Sequence, residues 1–248
     1  METPELLEIA FSHFCEKARW ALDHHHIPYV RRSHLPLVTR LMGRRFGVWN
    51  TVPILLTESG LITESSDIIK WCDRKGEGSP LWEETAGVES EITEWVSLFD
   101  KKLGPSTRRL AYFHLLDHDE LIDPMFLSGI SPLEKTLARP FLPLLKKVIR
   151  KTLKIDAPGA ERSRREVELV WAKVEARLAA GHQFLVADKF TAADLTFAAL
   201  AAPLYSPPGY GAAFPAFEQL PAAARKELGM FRDSPAGQFG LQLYKDFR

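Results

Sequence analysis

Ser12-His13-Phe14-Cys15-Glu16-Lys17-Ala18-Arg19-Trp20 follows a short apolar run at 6–11 and opens a helical pattern. Such a stretch reads as a strand-to-helix turn. Its serine hydroxyl and cysteine thiol then fall at or within the first helical turn, where unpaired backbone N–H groups and the helix dipole favour negative charge. Cysteine pKa falls in such places from about 8.5 towards neutrality or lower. Taken locally, the same residues also fit a serine that only caps the helix and a cysteine that only packs beneath it. The rest of the chain shifts that balance.

Phe14, Ala18, Ala21 and Leu22 recur at helical spacing and mark an amphipathic helix that fades at His24-His25-His26. Ile27-Pro28 ends it, because proline cannot continue the hydrogen-bond ladder. Residues 29–35 predict a second strand whose basic residues make it an edge, and 38–46 predict a short helix. Residues 52–56 and 60–63 read as two strands joined by a turn at Glu58-Ser59-Gly60. Ser65 or Ser66 caps a third helix with Ile68, Ile69, Trp71 and Cys72 on its buried face. This is a compact α/β unit. Gly76-Glu77-Gly78-Ser79-Pro80 is the strongest linker signal, and beyond it the pattern turns helical. Val88, Ile92, Trp95, Val96, Phe99 and Leu103 share one helical face; Val167, Val170, Trp171, Val174 and Leu178 share another. Thr191-Ala192-Ala193-Asp194 has the form of a capping box ahead of an apolar run to Leu200. Residues 203–221, rich in Pro, Gly and Ala, predict an irregular surface segment. The expected division is 1–78 for the α/β unit and 84–248 for an all-helical unit, the latter carrying an extended basic insertion around 105–158.

Composition narrows the function classes. The 248 residues are 46% hydrophobic and 26% charged, as in a globular protein with a substantial core. Formal net charge is zero, so no global field recruits nucleic acid. Two cysteines, Cys15 and Cys72, make no disulfide framework and suit a reducing compartment. The start shows no signal-peptide pattern, and no apolar run approaches the roughly 20 residues that span a bilayer. A cytoplasmic location is the expectation.

Ser12-x-x-Cys15-Glu16-Lys17-x-Arg19 after the first strand, Thr51-Val52-Pro53-Ile54-Leu55 opening the third, Thr63-Glu64-Ser65 before the third helix and the box at 191–194 occur in fixed order. Together they resemble the glutathione S-transferase superfamily. The resemblance implies a thioredoxin-like N-terminal α/β domain, an all-α C-terminal domain, glutathione as cosubstrate and a homodimer. It covers 5–104 and 165–202.

In such folds a proline at the position of Pro53 is cis, which turns the backbone of Val52 towards the cysteinyl unit of glutathione; X-Pro is where a cis bond costs only about 0.5–1 kcal/mol. Glu64 and Ser65 then hold the γ-glutamyl end, carboxylate to ammonium and hydroxyl with helix N-terminus to carboxylate. Ser12 falls at the catalytic Ser/Cys position of the family, and Cys15 at the second cysteine position of the related glutaredoxin CxxC motif. A serine stabilises the glutathione thiolate by donating a hydrogen bond, which favours conjugation to an electrophile or peroxide reduction. A catalytic Cys15 would instead form a mixed disulfide and favour thiol transfer. Ser12 stands in the better place; Cys15 is the more reactive group. Two positions depart from the family pattern. His13 replaces a common proline, and Thr51 stands where a lysine often meets the glycyl carboxylate.

Adjacent helical residues point about 100° apart, so His24-His25-His26 reads as a solvated helix end rather than a metal site, and no metal is expected. His114 and His118 read as a surface pair. Residues 136–155 carry no acid and six basic residues, with Phe141, Leu145, Val148, Ile149 and Thr152 on one face. Such a helix packs on the bundle, or contacts an anionic membrane surface through 137–155. It also stands to roof a pocket for a hydrophobic electrophile, lined by Tyr112 and Phe113. The sequence therefore supports a glutathione transferase (an enzyme), with a Cys15-dependent thiol transferase or a non-catalytic binding protein of the same fold as alternatives.

Overall fold

The computed structural model describes residues 3–45, 47–48, 52–83, 85 and 87–248. Thr51 and Phe46 lie outside them, so the expectations resting on these two residues have no structural counterpart. A four-stranded sheet has the order β2-β1-β3-β4, built from β1 (Glu5–Glu8), β2 (Val30–Ser33), β3 (Ile54–Thr57) and β4 (Gly60–Ile62). β1 runs parallel to β2 and antiparallel to β3, with Leu6 opposite both Arg31 and Leu55. β3 and β4 form a hairpin through the turn at residues 58–60. Leu6, Leu7, Ile54 and Leu55 are fully or almost fully buried, and the basic residues of β2 face solvent on the edge strand, where charge discourages strand addition. Helix α1 (His13–His24) connects β1 to β2, α2 (Pro36–Arg45) follows β2, and α3 (Ser65–Lys75) packs against α1. The periodicities predict these strands and helices, and their arrangement is the thioredoxin-like one that the resemblance implies.

The remainder is helical: α4 (Val88–Leu98), α5 (Gly104–Leu115), α6 (Asp119–Phe126), α7 (Pro132–Ala138), α8 (Leu142–Thr152), α9 (Ala157–Ala179), α10 (Ala192–Tyr205), α11 (Ala222–Arg232) and α12 (Pro235–Phe247). Every residue of α10 is buried, because α1, α4, α5, α11 and α12 pack around it; a helix apolar all round has no solvent face to spare. Its capping box forms as the sequence predicts: the Asp194 carboxylate accepts hydrogen bonds from Thr191 N at 2.9 Å, Thr191 Oγ1 at 2.8 Å and Leu185 N at 2.8 Å. Between α4 and α5 the chain widens into a π-type turn, Phe99–Leu103. Pro105 lacks an N–H and its ring crowds the carbonyl one turn back, and a widened turn relieves both. α10 also runs on through Pro203 to Tyr205, further than the predicted irregular segment allows.

Three charged residues of the opening motif point inward. Arg19 pairs with Glu16 at 2.7 Å and with Glu8, and donates to Ala10 O at 3.0 Å. Lys17 is completely buried, donating to Asp100 at 2.9 Å and to Ser66 Oγ at 2.8 Å. Lys17 therefore bolts α1 and α3 to the helical part. Burial lowers its ammonium pKa from the usual lysine value, and the Asp100 carboxylate opposes that fall.

The histidine run departs from a solvated helix end. His25 is buried with Nε2 on Asp73 at 2.8 Å, and His24 Nε2 donates to Ser79 O at 2.9 Å. Asp73 also accepts from Leu81 N and Trp82 N, both at 2.8 Å, which ties the linker down. Gly76 is needed there, since a Cβ would sit 2.4 Å from His25 Cβ.

Candidate active site

A cavity of about 1000 Å³ opens between the sheet and the helical part. The N-termini of α1 and α3 both face it. Ser12, the N-cap of α1, accepts from Glu16 N through its carbonyl, and its hydroxyl makes no capping bond. Glu64, the N-cap of α3, likewise leaves its carboxylate out of the cap. The first N–H groups of each helix thus lack intrahelical partners and remain available to an anion. Val52 and Pro53 line the same cavity, joined by a cis peptide bond. No backbone hydrogen bond engages Val52 among the described residues. Ser65 completes the wall from the first turn of α3.

Five of the six sequence candidates therefore converge: Ser12, Val52, Pro53, Glu64 and Ser65. Cys15 does not join them. It lies on the core side of α1 with no exposed surface, outside the cavity wall. Burial pushes its thiol up to about 12, with Glu8 adding to the rise and Arg19 opposing it. The expectation that a helix N-terminus activates a thiol fails for this residue, because desolvation in the core outweighs the dipole.

His13 is also almost fully buried. Its Nε2 lies 2.9 Å from Gly104 O, and since a carbonyl only accepts, Nε2 carries the proton. Burial, reinforced by the positive charge of Arg108, lowers its pKa to about 3, so the ring is neutral.

The opposite wall is helical and mostly apolar. Tyr112, Leu115 and Met125 line it, with Phe11 stacked on Phe126 at 4.9 Å between ring centres and Tyr112 edge-on to Phe126 at 6.2 Å. Helix α8 roofs the cavity with Leu145, Val148 and Ile149. The roofing expectation thus matches the geometry for Tyr112, whereas Phe113 is not in the wall. Phe141 also differs: it turns outward and is 64% exposed, while Leu142 faces in. On the basic side of α8, Lys146 pairs with Asp119 at 2.6 Å and Asp123 at 2.5 Å, and Arg150 with Asp117. His114 is not paired with His118; it meets Glu227 at 2.9 Å. Among the described residues no three His, Cys, Asp or Glu side chains gather as a metal site, and no helix is long and apolar enough to cross a membrane.

Four cationic side chains of the cavity wall, Arg40, Lys70, Lys101 and Arg108, escaped the sequence reading. Arg40 on α2 and Arg108 on α5 both line the cavity, and neither makes a hydrogen bond or ion pair with a described residue. No periodicity separates such an arginine from an ordinary solvated one.

Residues 6–80 match the model of the glutathione S-transferase N-terminal domain, and 134–222 match that of the C-terminal domain. No curated protein matches the chain in sequence. Solved structures do resemble it. A glutathione S-transferase from Xanthobacter autotrophicus has a TM-score of 0.63 at 14% identity, over 98% of this chain and 93% of its own. A beta-etherase from Sphingobium sp. has a TM-score of 0.62 at 16% identity, over 97% and 99%. A glutathione S-transferase from Methylobacterium radiotolerans, in complex with glutathione sulfonate, has a TM-score of 0.56 at 18% identity, over 96% and 94%. At these identities the likeness is one of fold.

Proposed function

Because the chain belongs to the glutathione S-transferase superfamily, we propose that it is a Ser12-type glutathione transferase acting on a hydrophobic second substrate. The observation that carries this reading is the separation of the two catalytic candidates: Ser12 faces the cavity and Cys15 does not.

Glutathione lies across the ends of β3, α1 and α3 in this reading. Its γ-glutamyl ammonium meets Glu64, and the adjoining carboxylate meets Ser65 and the unpaired N–H groups of α3. The backbone of Val52 pairs with the cysteinyl unit. Arg40, on the sheet side and paired with no described residue, takes the glycyl carboxylate. The Ser12 hydroxyl donates to the sulfur and, with the N-terminus of α1, stabilises the thiolate. The thiol proton leaves to solvent. The sulfur lone pair forms the new C–S bond, and the electron pair of the broken bond departs with the leaving group or moves onto the acceptor of a Michael addition. Such a step consumes no oxidant and calls on no other thiol.

The test compares Ser12→Ala with Cys15→Ala in conjugation and in disulfide-reduction assays, after retention on immobilised glutathione has been measured. Loss of one charge-assisted hydrogen bond to the thiolate predicts a fall of roughly ten- to a hundredfold in kcat/KM for Ser12→Ala. Cys15→Ala stays within about threefold of the parent. Loss of thiol transfer in Cys15→Ala with both rates intact in Ser12→Ala would overturn the reading.

A further inference from the structure

Arg108 and Tyr112 lie one turn apart on α5, and both line the cavity opposite the sheet. The contrast with Arg109 is informative. Arg109 donates to Leu153 O at 2.8 Å and to Ser163 Oγ at 2.7 Å, the fixed roles of a structural arginine. Arg108 is half-buried, and no described residue gives its guanidinium a hydrogen bond or an ion pair. Burial lowers its pKa from the usual arginine value, and no carboxylate offsets that fall. The Tyr112 side chain lines the cavity, and no described residue gives its hydroxyl a hydrogen bond either; burial raises its pKa, so it stays protonated and can donate. His13, the neutral ring beside Arg108, supplies no counter-charge.

The surrounding wall, Ala111, Leu115 and Met125, is apolar. A cation held in such a wall without a counter-ion is unfavourable, and an anion entering with a ligand would relieve it. The two acids of the cavity wall do not serve. Asp100 is committed to Lys17 and Ser66, and Glu64 stands at the N-terminus of α3. Residues four apart on a helix share a face, so a guanidinium and a phenol hydroxyl at 108 and 112 converge as two donors on one acceptor group.

We propose that Arg108 and Tyr112 form an anion subsite, and that the second substrate is a hydrophobic acid whose carboxylate they receive. The assignment to the second substrate rests on the reading above, in which glutathione occupies the sheet side and its carboxylates are met by α3 and Arg40. The apolar body of the acid lies along Leu115 and Met125 under α8. Arg108 is then a specificity-determining residue that separates acids from their neutral analogues.

Equilibrium binding of 1-naphthoate and 1-naphthamide, matched in shape and inert to thiols, tests the subsite without turnover. A charge-assisted contact predicts that the parent protein binds naphthoate on the order of ten- to a hundredfold more tightly. Arg108→Met brings the two within about twofold, and Arg108→Lys, which keeps the charge without the planar fork, retains part of the preference. Tyr112→Phe reduces it several-fold. Glutathione affinity, measured on the same proteins by calorimetry, stays unchanged. In turnover, Arg108→Met lowers kcat/KM for 4-chloro-3-nitrobenzoate by more than for its methyl ester.

Equal binding of acid and amide by the parent would overturn the proposal with no variant involved. So would loss of glutathione affinity in Arg108→Met with the acid-to-amide ratio intact, or a shift in the pH profile of conjugation with that ratio intact; these would assign Arg108 to glutathione or to its thiolate. Naphthoate preference lost in Arg108→Met, in a protein that binds no glutathione, would keep the subsite and overturn the transferase reading instead.

Discussion

Cys15 offers a direct chemical test, because its burial has a number attached. Its thiol is pushed from an ordinary value of 9.0 up to about 12. At pH 7.5 that leaves a thiolate fraction of roughly 3 in 100,000, against roughly 3 in 100 for the unshifted group, a loss of about a thousandfold. Zero exposure adds to this, since reagent must wait for the structure to open. Iodoacetamide at pH 7.5 should therefore label Cys15 in the native protein at least a thousandfold more slowly than in 8 M urea, with peptide mapping to separate it from Cys72. Cys72 is buried in the same way and serves as an internal reference. Native labelling of Cys15 within tenfold of the urea rate, or its capture as a mixed disulfide by oxidised glutathione, would refute the reasoning and restore the thiol-transfer alternative.

His13 makes stability depend on pH. The unfolded chain takes up a proton near pH 6.5 and the folded one only near about 3, so stability present in full above 6.5 is lost as pH falls through that window. The loss from this residue is about 2–3 kcal/mol at pH 4.5. Urea midpoints at pH 7.5 and 4.5 should show it, and His13→Gln, whose amide still reaches Gly104 O, should flatten the difference; identical slopes would count against it. Asp100→Ala leaves the Lys17 ammonium buried with Ser66 alone and should cost about 3 kcal/mol in denaturant unfolding. Lys17→Met added to it should recover most of that loss, and a double variant no better than the single one would refute the account.

Much of the fold was open to reading because its signals are local. The strand-to-helix turn at Ser12, the hairpin around Gly60 and the box from Thr191 to Asp194 each rest on residues within a few positions of one another. The sheet side of the site shared that advantage, since Val52, Pro53, Glu64 and Ser65 flank element ends. What stayed hidden depends on distant partners. Lys17 carries charge and would ordinarily face water, yet it is buried because Asp100, 83 residues away, meets it. The fate of Cys15 turned on which side of α1 meets the core, and a single helical turn of sequence does not say. His25 looked like a solvated helix end until Asp73 closed over it.

A further distant contact bears on how the protein is made. Trp20 on α1 donates its indole N–H to Phe247 O at 2.8 Å, a partner 227 residues downstream, and Glu16 on the same helix is held by Arg248 at 2.7 Å. Synthesis at about 5–20 residues per second separates the two ends by roughly 10–45 s. For that interval the nascent α1 has α3 to pack against but lacks its Phe247 and Arg248 partners. The α/β unit that reads as self-contained along the chain completes its α1 contacts only once α12 has been made.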